Sequence, residues 1–355
     1  MSATTVAAEN AVDVWERSFH KEYVRDSRFK RYMGTGANDI IQVNMVLEKE
    51  DGDEITMALV TRLTGDGVEG DATLEGNEEA LGNYGQKITV YQKRNGVAVG
   101  RAERKKTLID LLNAAKEQLK LWAREKLKDD IIARLMCPDS DGVSTYASTS
   151  EADKDSNLVT NTDRYLFGAA KSNNASNDHS AALAQIDSTN DILAPGLVSL
   201  AKRMARDADP HIRPVITKED EEWYVLFANK WAFRDLKQHA TFQNAVREGW
   251  TRGPDNPIFR DGDLVWDGVI VREIPEIPVI SGVGAGSIDV APNFLCGAQA
   301  LFLCWGEKTH AIENRRDYDN LLGVGVAEMR GVAKAMFNGY QHGMLTLYTS
   351  GVADT

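Results

Sequence analysis

Residues 107–135, TLIDLLNAAKEQLKLWAREKLKDDIIARL, restrict the possible folds more than any other part of the chain. Leu108, Leu111, Leu112, Ala115, Leu119, Trp122, Ala123, Leu127, Ile131 and Leu135 recur at helical spacing and form a sustained apolar stripe. Thr107 with Asp110 reads as a capping box and Pro138 lies just past the end, so both termini are marked. At about 1.5 Å per residue such a helix is roughly 40 Å long. Its local electrostatics are poor. Asp129 and Asp130 stand near the negative end of the macrodipole, and Lys116 and Lys120 are like charges one turn apart. Packing must hold it, so the rest of the chain has to offer a surface for its stripe.

That surface reads as strand. Residues 40–64 alternate with β-branched residues, IIQVNMVLE and ITMALVTRLT around an acidic KEDGDE, and predict two strands and a turn. In QKITVYQKRNGVAVG, Ile88, Val90, Val97 and Val99 alternate around Arg94-Asn95-Gly96, where the Asn-Gly pair predicts a hairpin turn. Residues 137–191 are rich in Ser, Asn, Asp, Thr and Ala and predict a long loop or inserted segment, with local order at 165–167. A helix over 195–206 opens at Pro195. WYVLF at 223–227 predicts a buried strand, 231–250 is mostly helical, 264–271 is a strand, and 274–283, with two prolines, is an edge or connection. Strands at 300–305 and 309–313, a helix or long turn over 321–336 and a closing strand at 344–349 complete the chain. Strands, one dominant helix and then mixed elements make the fold class α+β.

Composition narrows the function. A 355-residue chain with 43% apolar residues can bury a proper core. With 53 acids against 41 bases, its net charge of −12 repels a polyanion from most of the surface. Cys137, Cys296 and Cys304 have no close partner in sequence, which points to free thiols in a reducing, cytoplasmic setting. The start lacks the pattern of a signal peptide, and no run approaches the ~20 apolar residues of a membrane span, so neither secretion nor a membrane is expected.

Gly65, Gly67 and Gly70 spell G-x-G-x-x-G, the spacing of a dinucleotide-binding turn. Such a turn must open a helix whose N-terminus meets a pyrophosphate. Here Gly76, Gly82 and Gly85 interrupt any helix, and Asp66, Glu69, Asp71, Glu75, Glu78 and Glu79 would repel the ligand. An extended acidic loop is the better reading. The acids do not follow a calcium-loop pattern, and the six histidines and three cysteines show no zinc spacing. No G-x-S-x-G elbow appears. We expect no catalytic residues, no cofactor and no metal. What remains is an arm, a hairpin with an acidic tip and a long helix with poor local support, projections that one monomer does not cover and that suggest assembly with copies of itself.

Four stretches carry a resemblance: TRLTGDGVEGDATLEGNEEAL at 61–81, QKITVYQKRNGVAVGR leading into the helix at 107–135, NPIFRDGDLVWDGVIVREIPEIP at 256–278, and DYDNLLGVGVAEMRGVAKAMFNG at 317–339. The chain resembles the major capsid proteins of tailed double-stranded-DNA bacteriophages, which have the Hong Kong 97-type fold, in the podophage-related branch. The resemblance implies an N-terminal arm at 1–40 and an extended-loop hairpin region at 41–103. It implies a peripheral domain at 104–214 with its spine helix at 107–135 and a polar insertion at 137–191, an axial domain at 215–300, and a return to the peripheral domain at 301–355.

It further implies hexamers and pentamers of an icosahedral shell around viral DNA that is enclosed without sequence-specific binding. The implied location is the virion, and the host cytoplasm during assembly. The implied partners are copies of the chain, a separate scaffolding protein, a portal and a decoration protein. Arg62, Asp66, Glu69, Asp71, Glu75 and Glu78 are the candidate inter-subunit contacts. Two other readings compete: an encapsulin-like container, and a nucleotide-binding enzyme using the 65–70 glycines.

Overall fold

The computed structural model describes residues 29–46, 52–63, 65–71, 73–106, 111–138, 144–217, 220–250, 264–318 and 320–354. Most of the amphipathic arm and the Thr107–Asp110 capping box lie outside them. In chain order come β1 (Met33–Gly34), β2 (Ile41–Asn44), β3 (Glu54–Val60), β4 (Asn83–Thr89) and β5 (Tyr91–Gly100), then α1 (Arg101–Lys106) and α2 (Leu111–Met136). The middle of the chain holds α3 (Glu151–Thr160), β6 (Tyr165–Phe167), α4 (His179–Leu183), α5 (Pro195–Asp207), β7 (Val215–Ile216) and β8 (Glu222–Ala228). Next are α6 (Lys230–Gln238), α7 (Ala240–Trp250), β9 (Leu264–Trp266) and β10 (Val269–Glu273). Strands then dominate: β11 (Val290–Cys296), β12 (Leu301–Arg316), β13 (Leu321–Lys334), β14 (Met336–Phe337), β15 (Tyr340–Gln341) and β16 (Met344–Ser350).

The strands form two main sheets. One has the order β1-β2-β12-β13-β5, and the other β6-β16-β11-β8-β10-β9, with β7 paired to β8. The helix stripe finds its surface on the first sheet, where α2 packs across β13 and β5. Leu119, Ala123, Leu127, Ile131 and Leu135 join Val324, Val326 and Val332 of β13 and Leu301 and Leu303 of β12 in one core. Each large side chain buried there contributes about 1.5–3 kcal/mol, far more than the helix's charge terms cost. Those charges are in turn answered across the fold: Lys116 pairs with Glu313 at 2.9 Å, and Asp130 with Arg330 at 2.7 Å.

Several local readings change once strand partners are known. β5 runs unbroken through Asn95 and Gly96, paired with β13 from Tyr91 opposite Arg330 to Gly100 opposite Leu321. Its Asn-Gly pair is therefore no turn; a Cβ on Gly96 would stand 3.2 Å from the Val324 carbonyl oxygen, so the glycine permits close strand approach. The two strands in 40–64 exist but do not pair with each other, because β2 runs parallel to β12 while β3 pairs with β4. LVWDGVIV is a hairpin whose Asp267 and Gly268 have φ of 49° and 71°, a left-handed turn. The strands expected at 300–305 and 309–313 are one long β12, interrupted by a bulge near Glu307.

The stretch expected as helix or turn at 321–336 is strand. β13 pairs on both sides, with β12 and β5, and those long-range ladders outweigh the ambiguous local pattern of GVGVAEMRGVAK. The polar segment 137–191 is also more ordered than a loop: Leu158, Tyr165, Phe167, Ala182, Leu183 and Ile186 converge with Val290 and Tyr348 into a core of their own. Readings that hold are β6, the Pro195 opening of α5, β8, the helical 231–250 stretch and β16.

Candidate assembly interface

β3 and β4 form a separate two-stranded ribbon, in register from Glu54 opposite Thr89 to Val60 opposite Asn83. Its base is fixed. Ile55 and Ile88 pack with Phe302, Ala333 and Phe337, and the buried Gln86 amide donates to the Lys334 carbonyl at 2.7 Å and accepts from the Met336 N–H at 3.0 Å. Its far end is bare. Val60, Leu63, Leu74 and Leu81 are 56–61% exposed, which the monomer does not explain.

The loop joining the strands carries all six candidate contacts. Arg62, Asp66, Glu69, Asp71, Glu75 and Glu78 are each exposed on this one projection, so the structure brings them together as an acidic, leucine-bearing tip. Gly67, Gly70 and Gly76 have φ of 72°, 66° and 89°, a left-handed conformation that favours glycine and lets the chain fold back. The nucleotide reading fails on geometry. The Gly65 N–H, which would face a phosphate, donates to the Glu79 carboxylate at 2.7 Å, and the next regular element is strand β4 rather than a helix.

Elsewhere the ionisable groups serve packing. Among the described residues no cluster of three His, Cys, Asp or Glu side chains has the makings of a metal site. All three cysteines are free and buried, and burial pushes the Cys296 and Cys304 thiols up to about 12, so they remain protonated and unreactive. Lys334 is buried and its ammonium is pulled down to about 8, chiefly by loss of solvent. On β13, Glu328 accepts from Arg330 Nε at 2.7 Å and from Thr309 at 2.8 Å, while Arg330 reaches Asp130 of α2. Asp130 also accepts from Lys93 of β5. This network ties helix to sheet, and reading 321–336 as helix or turn hid it.

His179 yields a pH prediction. It lies among Tyr146, Phe167 and Tyr348, with Nε2 3.3 Å from the Tyr348 hydroxyl, and burial pulls its pKa down to about 4. The folded chain therefore resists a proton that the unfolded chain accepts at about 6.5. Above that value the group makes no difference; between 6.5 and 4 stability falls as pH falls, by up to about 3 kcal/mol in all. Denaturant titrations at pH 7 and pH 4.5 should show this loss, and His179→Gln should remove most of it. Equal losses in both chains would locate the acid sensitivity elsewhere.

Comparison with known proteins agrees with a shell-forming role. A profile of the family described as phage capsid protein matches residues 3–352. The major capsid protein of Pseudomonas phage KPP25 is 28% identical over 342 residues, covering 91% of this chain and 89% of the relative. The cyanophage Pam1 capsid asymmetric unit superposes with a TM-score of 0.85 at 35% identity, over 100% of both chains. The capsid of Ralstonia phage GP4 has a TM-score of 0.73 at 22% identity, over 100% of this chain and 96% of that one, a likeness of fold.

Proposed function

The chain belongs to the phage capsid protein family, and on that premise we propose that it is the building block of an icosahedral shell, assembling as hexamers and pentamers around double-stranded DNA. The observation that carries the reading is the acidic ribbon, fixed at its base and uncovered at its tip. A projection with exposed leucines and carboxylates gains little within its own subunit and gains a partner when copies meet. In this reading the arm is 1–40, the extended loop 41–103, the peripheral domain 104–214 with 301–355, and the axial domain 215–300.

The protein acts by association and carries no catalytic activity. Its location is the virion, reached through assembly in the host cytoplasm. A separate scaffolding protein, a portal and a decoration protein are its further partners. An acidic chain suits a container that encloses DNA without gripping it. The container-for-cargo alternative has less support, since the relatives described above are phage capsids.

Electron microscopy of the expressed chain tests the proposal: large regular particles are expected, and a chain that stays monomeric under every assembly condition overturns it. Charge reversal tests the loop. Glu69→Lys with Asp71→Lys should reduce particle yield at least ten-fold on a sedimentation gradient, with the melting temperature of the unassembled chain unchanged, because exposed charges add little to their own fold and much across an interface. Normal assembly with a lowered melting temperature would make the loop an intramolecular feature.

A further inference from the structure

A cleft of about 370 Å³ opens between the C-terminal half of α2 and the strands β5 and β13, beside the apolar stripe of the helix. Strand alternation sets its floor. Val324, Val326 and Val332 of β13 face α2, so Glu328 and Arg330, which lie between them at the same spacing, face it too. Lys93 and Tyr91 of β5 are paired opposite Glu328 and Arg330 and share that face. On the helix, Lys126, Asp130, Ala133 and Arg134 recur at helical spacing and line the other wall. Ala133 is the small member of that row and leaves the space open.

Charge is unevenly divided there. Three cations converge on one carboxylate, Asp130: Arg330 at 2.7 Å, Lys126 at 3.7 Å, and Lys93 in hydrogen-bond contact. Glu328 answers Arg330 from behind, through Nε. Arg134, itself buried, adds a fourth cation to the wall, and its charge helps to pull down the ammonium of the buried Lys334. The remaining acid, Asp129, stands exposed at the rim, where water screens it. The negative end of α2 contributes about half a charge. Asp130, Glu328 and that half charge do not balance four lining cations, so the recess keeps a positive excess. Lys93 reports the same imbalance: burial lowers its ammonium, and Arg330 and Lys126 lower it further against the pull of Asp130.

We propose that this cleft is a binding site for a tetrahedral oxyanion, phosphate, held by Lys93, Lys126 and Arg134 above the Arg330 floor. The donors arrive from a strand, from two turns of a helix and from the sheet beneath, directions that suit the oxygens of a tetrahedral ion better than a planar carboxylate. The volume is on the order of ten times that of one water, so the ion enters with part of its hydration. Bound there, it ties α2 to β5 and β13 through charge, alongside the apolar packing. A free inorganic ion and a nucleic-acid phosphodiester present the same oxygens.

Isothermal titration of the unassembled chain with sodium phosphate, at constant ionic strength, tests the site. One saturable site per chain with a Kd of about 1 mM or tighter is expected. Lys126→Glu should weaken binding at least ten-fold, because it exchanges a half-exposed cation for an acid, while the 3.7 Å pair that it breaks adds little to stability. Ala133→Leu fills the cleft and leaves every charge in place, and it should weaken binding as much. Both variants should still unfold cooperatively, close to the wild-type temperature, in phosphate-free buffer. Heat that does not saturate by about 20 mM phosphate, the same heat from chloride, or wild-type affinity in either folded variant overturns the site. A short DNA duplex added to the wild-type titration identifies the source. Competition with phosphate supports a site that takes a phosphodiester, and binding undisturbed by the duplex supports one that takes the free ion.

Discussion

Glu328→Ala should destabilise the unassembled chain by about 3–5 kcal/mol in denaturant unfolding, the usual cost of leaving one member of a buried ion pair alone. Glu328 is 0% exposed and Arg330 1%, so the guanidinium cannot regain water when its partner is removed. Asp130 still holds one side of Arg330, but Asp130 is shared with Lys93 and, at 3.7 Å, with Lys126. Burial already pulls the Lys93 ammonium below its ordinary value despite Asp130, so that carboxylate has little to spare. Glu328→Leu with Arg330→Met should lie within about 2 kcal/mol of the wild type, since a buried pair replaced by apolar residues of similar size is often close to neutral. A single variant costing less than about 1 kcal/mol would mean that water or rearrangement reaches Arg330.

Arg164→Ala should cost about 3 kcal/mol or more, by a different route. Arg164 is 0% exposed; its Nε donates to the Gln341 carbonyl at 2.5 Å and its Nη2 to the Pro210 carbonyl at 2.6 Å. Two main-chain acceptors lose their donors at once, and each unsatisfied buried group costs roughly 1–3 kcal/mol. Lysine should rescue less than half, because one ammonium cannot reproduce a planar fork that spans two carbonyls. Thermal unfolding of the three chains decides the matter. A loss near zero in Arg164→Ala would make residues 137–191 a passive excursion, whereas the expected loss makes them part of the main body.

How much was legible follows from where each element's partners sit. The α2 stripe was readable because its apolar residues repeat along the helix, and β8 and β16 because they are short and strongly apolar. β13 was not: glycines at 323, 325 and 331 and the charges of Glu328 and Arg330 imitate a turn or a polar helix, and only pairing with β12 and β5 shows that those charges point inward. Asn95-Gly96 misled for the same reason, since the strand that straightens it is more than two hundred residues away. In 137–191 the few large apolar residues are spread over short elements, and their common target includes Tyr348 of the last strand. The exposed carboxylates of the loop were legible as composition.

Gln86 gives the ribbon the character of a lever on a pin. One side chain holds both the last residue of β13 and the first of β14, and with Ile55 and Ile88 packed beside it the base of the ribbon is pinned while its far end stands exposed. β3 is 7 residues long, or about 23 Å at about 3.3 Å per residue, so a tilt of roughly 10° at the pin carries its far end by about 4 Å. A small change of angle at the base is therefore a large change of position at the tip, where Leu63, Leu74 and Leu81 stand exposed.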